Sequence, residues 1–147
     1  GANYTLINAE VEIPELQRQS LAFHRIGQSK REMEGQPEFL FNVNLTYDNE
    51  DWGTSAGLFY NVQGDMLKAG AAIGDEGATP NIYVVERPTL NLTVSQKLFD
   101  VWKLSFKAKN LTDPVIKEVY RAPTGEEMNR RRTKDGVSYS VSVGCSW

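Results

Sequence analysis

Val137-Ser138-Tyr139-Ser140-Val141-Ser142-Val143-Gly144-Cys145-Ser146-Trp147 alternates without a break. Odd positions carry Val, Tyr, Val, Val, Cys and Trp; even positions carry only Ser and Gly. Successive side chains on a strand point to opposite faces, so this stretch has one apolar face and one small, polar, uncharged face. Its length is close to the roughly 9–11 residues of a tilted membrane-spanning strand. The pattern predicts the closing strand of a transmembrane β-barrel, with Ser and Gly turned inward.

Five more segments alternate in the same way, which predicts an all-β, antiparallel up-and-down meander of six strands near residues 3–13, 38–48, 54–66, 88–98, 101–111 and 136–147. The first places Thr5, Ile7, Ala9, Val11 and Ile13 on one face and Tyr4, Leu6, Asn8, Glu10 and Glu12 on the other, and Pro14 ends it. On the later strands the apolar faces carry Phe41, Val43 and Leu45, then Leu58 and Tyr60, Leu92 and Val94, Leu104 and Phe106, and Val141 and Val143. No charged residue interrupts them, and Gln96 is the one strongly polar exception. A charge at the bilayer midplane costs about 2–4 kcal/mol, so a lipid-facing surface is expected to be this clean. The opposite faces are mostly Asn, Ser, Thr, Gly and Gln, as expected of a lumen.

Connections alternate long, short, long, short, long, which in a meander gathers every long loop at one end. Outer-membrane barrels have that asymmetry. The run at residues 82–85 inside the second long loop reads as a strand extension beyond the membrane. Tyr47, Trp52, Trp102 and Trp147 all fall at the short-turn end, where an interfacial aromatic belt is expected.

The 147 residues suffice for one domain, 1–147. A net charge of −3 gives no bulk electrostatic reason to expect a nucleic-acid partner. Mean hydropathy of −0.44 is compatible with a barrel, whose strands dilute their apolar residues with lumen residues and polar loops. No run of eighteen apolar residues exists, which rules out a transmembrane helix. The same alternation also describes a soluble β-barrel or meander binding a small apolar ligand, the second reading of this pattern.

Catalytic chemistry finds no foothold. The single Cys145 reads as a small hydrophobe, and the single His24 has no second metal ligand at useful spacing. Glu10 and Glu12 share a face but read as solvated lumen carboxylates. Lys103, Lys107 and Lys109 form a basic stripe on the inward face of the fifth strand; they could attract an anion or pair with acidic groups inside a barrel, though lumen lysines facing water is the simpler account. Arg130-Arg131-Arg132 in the last long loop could hold lipopolysaccharide phosphates, and reads more simply as a solvated charge run. No cofactor or enzymatic activity is expected.

Four stretches, in order, carry a family resemblance. They are Glu34-Gly35-Gln36-Pro37-Glu38-Phe39-Leu40-Phe41-Asn42, Leu58-Phe59-Tyr60-Asn61-Val62-Gln63-Gly64, Lys109-Asn110-Leu111-Thr112-Asp113-Pro114 and the terminal alternating strand. Together they resemble the carboxy-terminal part of a TonB-dependent outer-membrane receptor, over nearly the whole chain. The resemblance implies an active transporter in the outer membrane of a Gram-negative bacterium, with a barrel of about twenty-two strands around an amino-terminal plug domain. It would take up a scarce ligand such as a ferric siderophore, a cobalamin or a glycan, with energy transmitted by TonB. The chain would then be a fragment that transports nothing alone; its partners would be outer-membrane lipid, the missing strands and plug of the same receptor, and TonB through the absent amino-terminal part. For Tyr139 and Trp147 the resemblance implies an assembly signal read by the barrel-assembly machinery, which suits an unpaired alternating edge.

Overall fold

A computed structural model describes residues 1–75, 77–99 and 101–145. β1 (Ala2–Leu6) is followed by β2 (Glu10–Glu12), helix α1 (Glu15–Phe23) and β3 (Lys30–Glu32). Two long strands come next, β4 (Phe39–Asn49) and β5 (Thr54–Gln63). Four short ones follow, β6 (Met66–Ala69), β7 (Ala72–Gly74), β8 (Gly77–Thr79) and β9 (Asn81–Val84). The chain then forms β10 (Arg87–Leu98), β11 (Trp102–Lys109), β12 (Ile116–Arg121), β13 (Glu127–Thr133) and β14 (Ser138–Cys145).

The main sheet has six strands in the order β1-β4-β5-β10-β11-β14, every pair antiparallel. It is the all-β meander expected from the alternation. β1 and β14 are its two edges, so the sheet is open. The short connections that follow β4 and β10 lie at one end. In the first, the Asn49 side chain accepts the Trp52 N–H at 2.9 Å, and Gly53 takes φ +63, which glycine adopts without strain. Gln96 is tied to this turn, donating to the Trp52 carbonyl at 2.6 Å and accepting from the Thr54 hydroxyl. The polar exception on the apolar face is thus a turn-binding residue at the sheet's margin.

The first strand departs from its expected form. Residues 3–13 are two strands in two different sheets: β1 pairs with β4, whereas β2 pairs with β3. The chain leaves the main sheet after Leu6 because Ile13 is drawn into a small core with Leu21, Ile26 and Ala71. The expected faces change accordingly. Tyr4 lies opposite Phe41 and Leu6 opposite Phe39, so both join the apolar face, while Asn3 and Thr5 lie opposite Asn42 and Leu40 on the polar one. Glu10 and Glu12 are not on the main sheet at all; Glu10 pairs with Lys30 at 3.5 Å in the β2–β3 ribbon.

The long connections are folded rather than irregular. The second and third supply a four-stranded sheet, β13-β12-β9-β6, and the first supplies α1 and β3. The segment at residues 82–85 therefore belongs to this separate sheet, through β9, instead of extending a main-sheet strand. Together these elements form a cap at one end of the main sheet, and most of the buried apolar side chains are there. One cluster is the Ile13 core, where Leu21 is the buried residue of α1 and the half-buried Gln17 donates to the Ala71 carbonyl. The other joins Leu67, Tyr83 and Val119 from β6, β9 and β12. Among the described residues of the main sheet, Val62 and Ala108 are the buried hydrophobics, both towards the cap end of their strands.

Ion pairs tie the cap together. Glu118, buried on β12, receives Lys68 from the second loop and Arg130 from β13. A register shift between Glu118 and Val119 leaves Arg130 as an extra residue on β13, a bulge that turns its guanidinium onto Glu118. Arg121 bridges Asp65 and Glu127 and lies 4.2 Å over the Tyr83 ring. The Lys68 hydrogen bond, aided by Arg130 and opposed by burial, holds the Glu118 carboxyl below its ordinary 4.5.

Two outcomes follow from this arrangement. Leu67→Ala removes a fully buried side chain and should cost the cap about 2–5 kcal/mol; hydrogen exchange should accelerate in β9 and β12 while the β5–β10 amides keep their protection. Because the Glu118 pKa is lowered by folding, its contribution is full above pH 4.5 and is lost as the pH falls through the lowered folded value. Acidification of the wild type should therefore loosen β9 and β12, and in Glu118→Gln this pH-dependent part of the loosening should be absent.

Candidate functional surfaces

The register joins the apolar side chains of the main sheet into one continuous face. Leu45, Leu58 and Leu92 are successive cross-strand partners, and Leu92 in turn lies opposite Ala108. Val43 meets Tyr60, while Val94 meets Phe106 and Phe106 meets Val141; Leu104 meets Val143. Phe41, at the cap end, lies opposite Val62 and Tyr4. The structure thus brings together every apolar residue singled out on strands two to six. The face carries no charge among the described residues. Leu45 is 70% exposed, Val141 67% and Val143 63%, while Phe41, Tyr60, Leu92, Val94 and Phe106 are half-buried and Val62 and Ala108, towards the cap, are buried. Leaving a large aliphatic side chain in water forgoes about 1.5–3 kcal/mol.

Aromatic side chains gather at both ends of this face. Tyr47, Trp52 and Trp102 are exposed at the short-turn end as expected, joined by Phe99 in the second turn, and Trp147 lies outside the described residues. The cap end carries a second group that sequence reading missed. Tyr4 sits 5.7 Å from Phe39 and 6.4 Å from Phe41, and Tyr139 stacks on Phe106 at 6.2 Å. The signal was present, since Phe39, Phe41 and Tyr139 each fall in the first residues of their strands.

The opposite face is polar and hollow. Two recesses, of about 480 and 550 Å³, open on it. An amide ladder runs across three strands, with Asn61 donating to Asn42 and Asn42 to Asn3, the latter at 2.7 Å. Six residues nearer the short turns along β5, the Ser55 and Ser95 hydroxyls meet at 2.7 Å. Among the described residues Phe59 is the one aromatic side chain on this face. Its ring lies over Gly57, where a Cβ would come within 2.8 Å of it.

Lys103 and Lys107 line the larger recess and Lys109 the smaller, so the predicted basic stripe is on the hollow face. Among the described residues no ion pair lies on the main sheet; all lie in the cap and its loops. Lys97 and Lys103 stand directly opposite each other, a like-charge pair, with Asp48 and Glu50 lining the same small recess. The Arg130-Arg131-Arg132 run is divided: Arg130 is committed to Glu118, and Arg131 and Arg132 are exposed on β13. Cys145 is exposed rather than packed, because the apolar face to which it belongs is uncovered.

Comparison of the chain with family models, with curated proteins and with solved structures finds no match. The likeness to TonB-dependent receptors accordingly stands on the sequence stretches alone.

The amide ladder makes Asn42 the link that fastens edge strand β1. Asn42→Ala removes two side-chain hydrogen bonds, each worth about 0.5–1.5 kcal/mol. Hydrogen exchange of the β1 amides should accelerate, with β10 and β11 unaffected.

Proposed function

We propose that this chain forms the carboxy-terminal strands of a TonB-dependent receptor barrel in the outer membrane of a Gram-negative bacterium, and so a structural part of an active transporter for a siderophore-, cobalamin- or glycan-class ligand. The observation that carries this reading is the charge-free apolar face, continuous across the sheet and exposed, in a chain whose own cores lie elsewhere. Water is a poor solvent for such a face and hydrocarbon a good one. The dimensions agree. The eleven residues of β4 extend about 37 Å, and a strand tilt of about 40° reduces that to about 28 Å, close to the height of a barrel's apolar band.

The aromatic groups at the two ends of the face then sit at the two membrane interfaces, where half-wet rings are stable. The hollow polar face becomes lumen, with its unpaired lysines available to a plug domain, and the cap stands outside the membrane over the lumen's mouth. A soluble binder of small apolar ligands is less well served, since the recesses at hand open on the polar face.

Val141 and Ser140 allow the reading to be tested at one depth, since their side chains point to opposite faces. With the chain reconstituted in lipid vesicles, a fluorophore on cysteine at position 141 (Cys145 replaced by Ser) should be quenched by brominated acyl chains, and one at position 140 should not. Val141→Arg should cost about 2–4 kcal/mol in denaturant titration, and Ser140→Arg clearly less. Equal quenching and equal costs, or a chain that stays monomeric in buffer without detergent, would overturn the proposal.

A further inference from the structure

The second and third long loops begin with the same device. Two residues past β5, the Asp65 carboxylate accepts the backbone N–H of Glu86, the residue before β10, at 2.8 Å through Oδ1. Four residues past β11, the Asp113 carboxylate accepts the backbone N–H of Gly136, two residues before β14, at 3.2 Å, again through Oδ1. In each case Oδ2 takes a cation: Arg121 for Asp65, and Lys134 at 2.9 Å for Asp113. Each carboxylate thus spans the base of a loop of more than twenty residues.

Asn110 completes the second base. Its side chain donates to the Gly136 carbonyl at 2.8 Å, its own N–H reaches the Asn91 side chain at 3.0 Å, and its carbonyl accepts the Asp113 N–H at 3.0 Å. Thr112 donates to the Pro88 carbonyl at 2.9 Å. Asn110 and Asp113 have φ of +59 and +39, left-handed values that Asn and Asp tolerate better than other side chains. The Asn-Leu-Thr-Asp spacing is therefore what this geometry requires: two residues that accept positive φ and whose side chains reach the returning strand.

We propose that Asp65 and Asp113 are base clasps, each setting the register of its own hairpin independently of the loop above it. Closing a long loop costs entropy before any ladder bond repays it. A bond at the base supplies closure next to the first strand pairs, Gln63 with Arg87 and Lys109 with Ser138. A one-residue slip would turn every side chain of β14 to the wrong face, so register at this point governs both surfaces. The loop above Asp113, whose two partners Gly136 and Lys134 lie beside β14, then becomes a module that can change in length and sequence while the β11–β14 hairpin stays in frame; Asp65 keeps its bond to the Glu86 N–H but shares Arg121 with that loop.

The test uses two engineered cysteine pairs in the full chain, with Cys145 replaced by Ser, folded in detergent. Ser105 and Ser142 are cross-strand partners on one hairpin, and Ser55 and Ser95 on the other. Disulfide formation reports native register for each. Asp113→Gly keeps the backbone freedom and removes the carboxylate; it should lower the 105–142 cross-link several-fold and leave 55–95 at the parent yield. Asp113→Asn retains an acceptor oxygen and should restore most of it. Asp65→Ala should produce the reverse selectivity. Replacing residues 115–132 with a Gly-Ser-Gly-Ser linker should leave the 105–142 yield at the parent level. Full 105–142 yield in Asp113→Gly, loss of both cross-links in either single variant, or loss of 105–142 on loop replacement would each overturn the proposal.

Discussion

The constraint on which this structure turns is an apolar face with no partner in its own chain. A six-stranded antiparallel sheet satisfies its internal backbone groups through its ladders, but ladders bury little apolar surface. In a soluble sandwich the second layer would supply that burial. Here the apolar packing is displaced to the cap, where two small clusters and a set of ion pairs consolidate the long connections. Backbone geometry thus specifies the sheet before any packing does, and its apolar side depends on whatever medium surrounds it.

That division explains which parts were legible in the sequence. Period-two alternation encodes which face a residue occupies, and a run of eight to twelve residues states it redundantly. Hence β4, β5, β10, β11 and β14 were readable to within a few residues, and the register found in the structure sets their apolar rows side by side. Residues 3–13 were not, because the alternation there runs on across two strands that enter different sheets. Tyr4 and Leu6 went to the wrong side for that reason: one phase was read through Thr5, Ile7, Ala9, Val11 and Ile13, whereas Ile13 belongs to the cap core.

The cap itself was invisible to pattern reading. Its strands are three to seven residues long, mostly too short for a period to establish itself, and what holds them is long-range. Nothing local indicates that Lys68 and Arg130 will meet at Glu118, or that a bulge will aim the second of them there. The charge run at Arg130–Arg132 read as solvated because sequence reports charge and not partners. Phe59 posed the converse difficulty. Its place on the polar side of β5 was evident, yet the reason a large ring fits there, the missing Cβ of Gly57, depends on how the ring leans along the strand.

The two open edges of the main sheet carry a consequence for anything that extends it. β1 and β14 run in opposite directions, and each presents an apolar row (Tyr4 and Leu6, Tyr139 and Val141) beside a polar one. A strand added to either edge can shift by two residues, about 7 Å, and still match both rows, whereas a shift by one mismatches every pair. Growth of the sheet is therefore quantised. Errors of an odd step are rejected by solvation, and errors of an even step must be rejected by something else, which leaves turn length and loop-base contacts as the remaining arbiters of frame.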